Sequence, residues 1–273
     1  GRLPLSVGPV AESDNWIALW EGGNYDTLIN ETKATLARSP MNGTALVFNG
    51  FSHFYRGVNS VSSEESEKEL LSATVSLRRA LLLEEPPLGG RVHYVLGKTY
   101  YHRGSFYYDL AASHLENAIA AGFSGSDGYE YLGLAQAQLA NYQASTEAFD
   151  QALEQEPSAL LYVTAAESYR ELGDTDTAVR YLNEAVARSD DGYLVQRARM
   201  QLGDLYLGQG KYEAARDQFE KIIESNPRSA DAHYRLGIAH SEMGNRERAR
   251  FEWREARRID PNHAEALSRL RNN

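Results

Sequence analysis

No cysteine occurs among the 273 residues, which removes disulfides, thiolate metal sites and a cysteine nucleophile together and leaves the redox compartment open. Long apolar runs are missing too. Nothing approaches the roughly 18 consecutive apolar residues of a membrane-spanning helix, and short runs such as Ala80 to Leu83 are flanked by charge. Positive charge is scarce: 28 Lys and Arg stand against 38 Asp and Glu, a net of −10. That balance argues against nucleic acid, whose affinity for proteins rests on clustered Lys and Arg releasing counterions. Catalytic signatures are absent as well. There is no G-x-S-x-G elbow, no Walker sequence, no dinucleotide fingerprint after a strand and no H-E-x-x-H pair. The sequence therefore predicts no enzyme, no cofactor and no metal site.

What the chain does hold is 42 % hydrophobic residues, ample apolar surface for a folded core. Its opening, GRLPLSVGPV, begins with Gly1 and has neither a charged nor an apolar leader segment. This reads as a trimmed chain, either periplasmic or membrane-anchored through a removed segment, or else cytoplasmic. Self-comparison gives the main signal. Gly203 and Gly237, Ala215 and Ala249, and Pro227 and Pro261 all recur at one offset, 237 − 203 = 249 − 215 = 261 − 227 = 34. Gly104, Gly173, Gly210 and Gly244 punctuate the ends of first helices, and Pro157, Pro227 and Pro261 end second helices, because proline has no backbone N–H to donate.

The period and its places resemble the tetratricopeptide repeat family, bacterial members included. In residues 230–263 those places hold His233, Leu236, Gly237, His240, Ala249, Trp253, Ala256 and Pro261. In residues 196–229 they hold Arg199, Leu202, Gly203, Tyr206, Ala215, Phe219, Ile222 and Pro227. The resemblance implies an all-α fold, a right-handed α-solenoid of about seven helical hairpins. The expected organisation is a tail over 1–8, two degenerate repeats over 9–87 with a long acidic and Ser-rich loop near 58–69, five repeats over 90–263, and a capping helix over 264–273. Small residues at fixed places let the two helices of a hairpin approach closely. His93, His233 and His240 fall on packing places and read as core histidines.

In this family the concave inner face, built by the first helix of each unit, is the peptide groove. Its places here hold Trp20, Phe51, Phe54, Tyr55, Tyr94, Lys98 and Tyr101 in the amino-terminal units, and Glu130, Glu167 and Arg170 further on. Aromatic rings anchor partners well because they bury much area at low rotamer cost. An apolar partner segment is thus expected on Phe51, Phe54, Tyr55, Tyr94 and Tyr101; the alternative packs the same rings between hairpins. Phe106, Tyr107 and Tyr108, in the turn of the third unit, read as a loop contact or as rings tucked against the SSEESEKE segment. The Lys and Asn clamp by which chaperone-binding members hold a terminal carboxylate is missing. The implied function is a scaffold or adaptor that binds a partner protein or peptide in the groove, within a bacterial envelope assembly, with homo-oligomerisation compatible. The alternatives are a ligand-binding subunit of a transport system and an accessory module of an enzyme encoded elsewhere.

Overall fold

The computed structural model describes residues 11–272, with side chains for 15–271. The tail at 1–8 and the expected start of the first hairpin lie outside the described residues. Every element among the described residues is helical: α1 (Ala11–Glu21), α2 (Tyr25–Arg38), α3 (Gly43–Asn59), α4 (Ser63–Ala80), α5 (Gly89–His102), α6 (Tyr108–Ala120), α7 (Gly128–Gln138), α8 (Tyr142–Gln155), α9 (Ala159–Leu172), α10 (Thr175–Arg188), α11 (Gly192–Gly208), α12 (Tyr212–Ser225), α13 (Ala230–Glu242), α14 (Arg246–Ile259) and α15 (Ala264–Asn272), with a 3-10 turn at Ser105–Tyr107. Odd and even helices pair into hairpins, and consecutive hairpins pack on one another within each of two compact units, Gly1–Glu156 and Pro157–Asn273. This is the all-α solenoid class.

Local chemistry sets the helix ends. Asn42, Ser158 and Asp174 accept hydrogen bonds from the backbone N–H groups of Ala45, Leu161 and Thr177 at 2.9, 3.1 and 3.0 Å, each such cap contributing about 1 kcal/mol. At the far end, Gly173 takes φ 90° and lets its N–H return to the carbonyl of Arg170, a left-handed stop that glycine adopts without strain.

One device joins the two helices of most hairpins. A methyl group built on Gly50 would lie 2.4 Å from Leu77, on Gly97 2.6 Å from Leu115, on Gly133 2.8 Å from Phe149, on Gly203 2.4 Å from Phe219 and on Gly237 2.4 Å from Trp253. All five large partners are buried. Removing one Cβ lets a whole side chain of the facing helix reach the axis, and full burial of such a chain is worth about 1.5–3 kcal/mol. At the carboxyl end α15 packs on α14, adding Ala266 and Leu270 to the apolar cluster that holds Ala249, Trp253 and Ala256.

The expected loop near 58–69 is corrected. Only Ser60 to Ser62 separate α3 from α4, and the SSEESEKE segment forms the first turns of α4. The surplus residues lengthen the helices, 17 residues in α3 and 18 in α4 against 14 in α10 and α12. Ser62 caps α4 by accepting from the N–H of Glu65 at 3.4 Å, and Glu64 and Glu65 sit in the first turn, where the helix dipole favours acid.

Candidate functional site

Within the first unit, α3, α5 and α7 run side by side, because each is the first helix of its hairpin. Lys98 on α5 projects between them and is only 8 % exposed. Its ammonium donates to Asp127, the residue preceding α7, at 2.7 Å, and lies 4.6 Å from the ring centroid of Tyr131, 5.1 Å from that of Tyr94 and 5.8 Å from that of Phe54. The Tyr94 hydroxyl donates to the other oxygen of Asp127. A cation enclosed by three rings and one carboxylate is stabilised both by the ring quadrupoles and by its ion pair. It fixes the spacing of three helices at once.

Around this post lies a half-buried aromatic surface. Tyr101 meets Tyr131 edge-on at 5.3 Å and Tyr108 at 5.5 Å. The exposed His102 ring shares a hydrogen bond of 2.9 Å with the Tyr131 hydroxyl. Tyr55 stacks on Tyr25 at 5.6 Å. Burial, with the charges of Asp127 and Glu130, pushes the Tyr131 hydroxyl up to about 12; burial and Asp127 likewise raise Tyr94. Both phenols therefore stay protonated donors at neutral pH. Glu130, beside them, is raised by burial and by Asp127. The surface offers rings, hydroxyl donors and one carboxyl, which suits peptide recognition. It holds no nucleophile paired with a base, and no group of three His, Cys, Asp or Glu side chains suited to a metal occurs among the described residues.

The expected site residues divide. Trp20, Phe51, Phe54 and Tyr94 were placed on an open groove; the structure buries all of them at 4 % exposure or less. Neighbouring side chains cover them: Trp20 packs edge-on to Tyr55 at 5.1 Å and close to Phe51 at 5.8 Å, Phe54 lies under the Lys98 ammonium at 5.8 Å, and Tyr94 packs edge-on to Phe123 at 5.4 Å. Lys98, equally expected on the groove, is the buried post. Tyr55, Tyr101 and Glu130 remain on the surface beside it. Glu167 and Arg170 belong to the second unit: Glu167 accepts from Arg197 at 2.6 Å and from Gln201 at 2.8 Å, and Arg170 is exposed and paired with Glu171 at 2.7 Å.

The turn aromatics also divide. Phe106 is 91 % exposed. Tyr107 stacks on Tyr100 at 5.8 Å and lies under the guanidinium of Arg103 at 4.2 Å, which also donates to Glu67 of α4 at 3.1 Å. Tyr108 packs on Tyr101. Tyr131 was not foreseen as a site residue, because it lies one place after Glu130, off the expected groove register. Asp127 stands on the groove register three places before Glu130; its pairing with Lys98 across hairpins is what the sequence did not show. Among the described residues no helix is long and apolar enough to cross a membrane.

A family model described as Tetratricopeptide repeat matches residues 163–230 and 200–264. The tetratricopeptide repeat and J domain-containing co-chaperone DNJ1 of Cryptococcus neoformans var. grubii is 31 % identical over 115 residues, 42 % of this chain and 22 % of that protein. The chain thus spans only about a fifth of that relative's length. Among solved structures, YrrB, described as a tetratricopeptide repeat protein with an unusual peptide-binding site, superposes with a TM-score of 0.58 at 23 % identity over 66 % of this chain and 91 % of its own. MamA residues 41 to the end from Desulfovibrio magneticus RS-1 superposes with a TM-score of 0.55 at 18 % identity over 64 % of this chain and 97 % of its own. At such identities the likeness is one of fold. With the 34-residue spacing and the family match, residues 163–264 are tetratricopeptide repeats, and the first unit is built from hairpins seated on glycine in the same way.

Proposed function

We propose that the chain is a protein-binding scaffold that captures a peptide segment of a partner on the first-helix face of its first unit. The observation that carries this reading is the Lys98 post: a desolvated ion pair that holds Tyr101, Tyr131 and His102 in fixed positions at a surface. Preorganised aromatics lose little rotamer entropy when they bind, so such a face gains affinity that a flexible one loses. YrrB, a fold relative, is described as having a peptide-binding site, which supports the class of ligand and not its sequence. The expected segment is apolar, with a hydrogen-bond acceptor for the tyrosine hydroxyls. A bacterial envelope assembly as the setting belongs to this proposal and rests on the resemblance alone.

Panning a random peptide library on the immobilised chain, with a Tyr101→Ser, Tyr131→Ser double variant as comparator, tests the reading. The recovered peptides should bind the double variant about tenfold or more weakly, a loss of about 1.4 kcal/mol, while its helical circular dichroism is retained at the assay temperature. Peptides indifferent to both substitutions would place recognition elsewhere.

A further inference from the structure

The opposite side of the first unit carries a second surface. Leu71, Val75 and Arg78 of α4, with Leu82 just beyond it, follow the i, i+4, i+7, i+11 spacing of one helical face, and Leu110 of α6 faces them. Together they bound a groove of about 530 Å³ floored by Tyr100 and Tyr107. Its apolar walls are open: Leu82 is 76 % and Val75 50 % exposed, and Leu71 and Leu110 are exposed as well. Contiguous exposed apolar side chains of this kind mark an interaction surface rather than scatter.

The rim is basic in a chain of net charge −10. Arg78 is exposed, Arg79 reaches the carbonyl of Pro40, and Arg103 is held by Glu67 at 3.1 Å. We propose that this groove docks an amphipathic helix of a partner protein, its apolar stripe on Leu71, Val75, Leu82 and Leu110 and its carboxylates on Arg78 and Arg79. The spacing along α4 matches about three turns of a second helix lying alongside. Walls this open do not enclose a small molecule. A second copy of the chain docked symmetrically would set arginine against arginine, and like charges brought together in an interface are costly. An anionic membrane plane would also meet Glu67, held by Arg103 at the groove, and Glu84 and Glu85 just after Leu82; a single narrow acidic helix meets only the rim.

The test uses the full chain and a fluorescent helical peptide of about 14 residues with Leu at i, i+4, i+7 and i+11 and Glu on both flanks. Two companions replace the Glu with Lys, or the Leu with Ser. By anisotropy the Glu peptide should bind saturably, and both companions should bind about tenfold or more weakly. Val75→Glu and Arg78→Glu, both at exposed positions, should each weaken the Glu peptide by a similar factor with unchanged circular dichroism. Tyr101→Ser should leave it unaltered. No saturable binding, equal binding of the Glu and Lys peptides, or indifference to Val75→Glu would overturn the proposal. So would flotation with phosphatidylglycerol vesicles that is lost in the same two variants. Should Tyr101→Ser alone abolish binding, the peptide sits on the first-helix face, and this groove fails while the scaffold reading stands.

Discussion

Gly237→Ala is the sharpest test of how the hairpins are joined. An added Cβ would lie 2.4 Å from Nε1 and 2.5 Å from Cδ1 of Trp253, and 3.1 Å from the Ala249 carbonyl oxygen. Trp253 is buried, and its Nε1 donates to the Tyr234 carbonyl at 3.2 Å, so the ring cannot retreat without loosening that bond. Glycine in a helix interior is about 0.5–1 kcal/mol worse than alanine, and the substitution recovers that much. Against it stand about 1–3 kcal/mol of overpacking and about 1 kcal/mol for a weakened hydrogen bond. The net is a destabilisation of about 1–3 kcal/mol. Gly208, also helical, has nothing within 4 Å of its built Cβ, so Gly208→Ala should stabilise by about 0.5–1 kcal/mol. The assay is urea unfolding by circular dichroism, with a slope of about 2 kcal/mol/M giving a midpoint lowered by about 1 M for Gly237→Ala. Repeat arrays need not unfold in one step, so hydrogen exchange of α13 and α14 amides should report the loss locally. Equal shifts for the two variants, or a stabilised Gly237→Ala, would refute the close-approach reasoning.

Asn49→Ala should cost about 2–3 kcal/mol, since buried Asn49 donates to Thr32 at 2.9 Å and accepts from Ser76 at 2.8 Å, linking α2, α3 and α4; a loss below about 0.5 kcal/mol in chemical denaturation would contradict that network. Ala140 holds φ 58°, the left-handed place that Gly173 and Gly244 occupy after other first helices, so Ala140→Gly should raise stability by about 1 kcal/mol and the midpoint by a few degrees. His114, stacked on Tyr100 at 5.5 Å and hydrogen-bonded to His93 at 2.9 Å, is pushed down from 6.5 to about 4, by burial first and then by the neighbouring His93 and Arg78. The unfolded chain therefore binds this proton more readily than the folded one. Stability is full above pH 6.5 and falls as pH drops toward 4, by up to about 3 kcal/mol. His114→Gln should flatten that part of the acid limb in pH-dependent unfolding, and an unchanged limb would count against it.

Much of the hairpin construction was legible because steric constraints recur. Gly203 and Gly237 recur at the close-approach place, and the structure sets Phe219 and Trp253 against them; Pro227 and Pro261, at the same offset, follow the ends of α12 and α14. Where the repeat lengthens, the reading failed. Ser- and Glu-rich composition suggested a loop after α3, yet Ser62 followed by Glu65 is a helix-capping pair, and the acidic residues sit where the dipole welcomes them. Burial was the second failure. Periodicity assigns a residue to a helix face, but whether that face is wet depends on which side chains the surrounding segments bring against it, here Trp20 on Phe51 and Phe123 on Tyr94, which the repeat template does not encode. Phe51, Phe54 and Tyr94 therefore carry the right register and the wrong exposure, while Tyr131, one place out of register, reaches the surface because Lys98 and His102 hold it there.

The two units handle charge on their first helices in different ways, and the difference bears on where recognition is cheapest. In the second unit successive hairpins are tied by Glu167 with Arg197 and by Asp204 with Arg235, each at 2.6 Å, with side chains 29–45 % exposed. Pairs so solvated contribute about 0–1 kcal/mol and are screened by salt. A ligand there must compete with partners already satisfied and gains little by replacing one solvated pair with another. In the first unit the ion pair that links α5 to the start of α7 is desolvated, Lys98 at 11 % and Asp127 at 29 % side-chain exposure, and removing either member would strand the other at a cost of about 3–5 kcal/mol. That pair is framework, not ligand site. What it leaves uncommitted is ring surface, whose desolvation on binding is favourable. On the reading proposed above, apolar contact on Tyr101 and Tyr131 is the larger source of affinity on these helices, and the charged residues of the second unit tie one hairpin to the next.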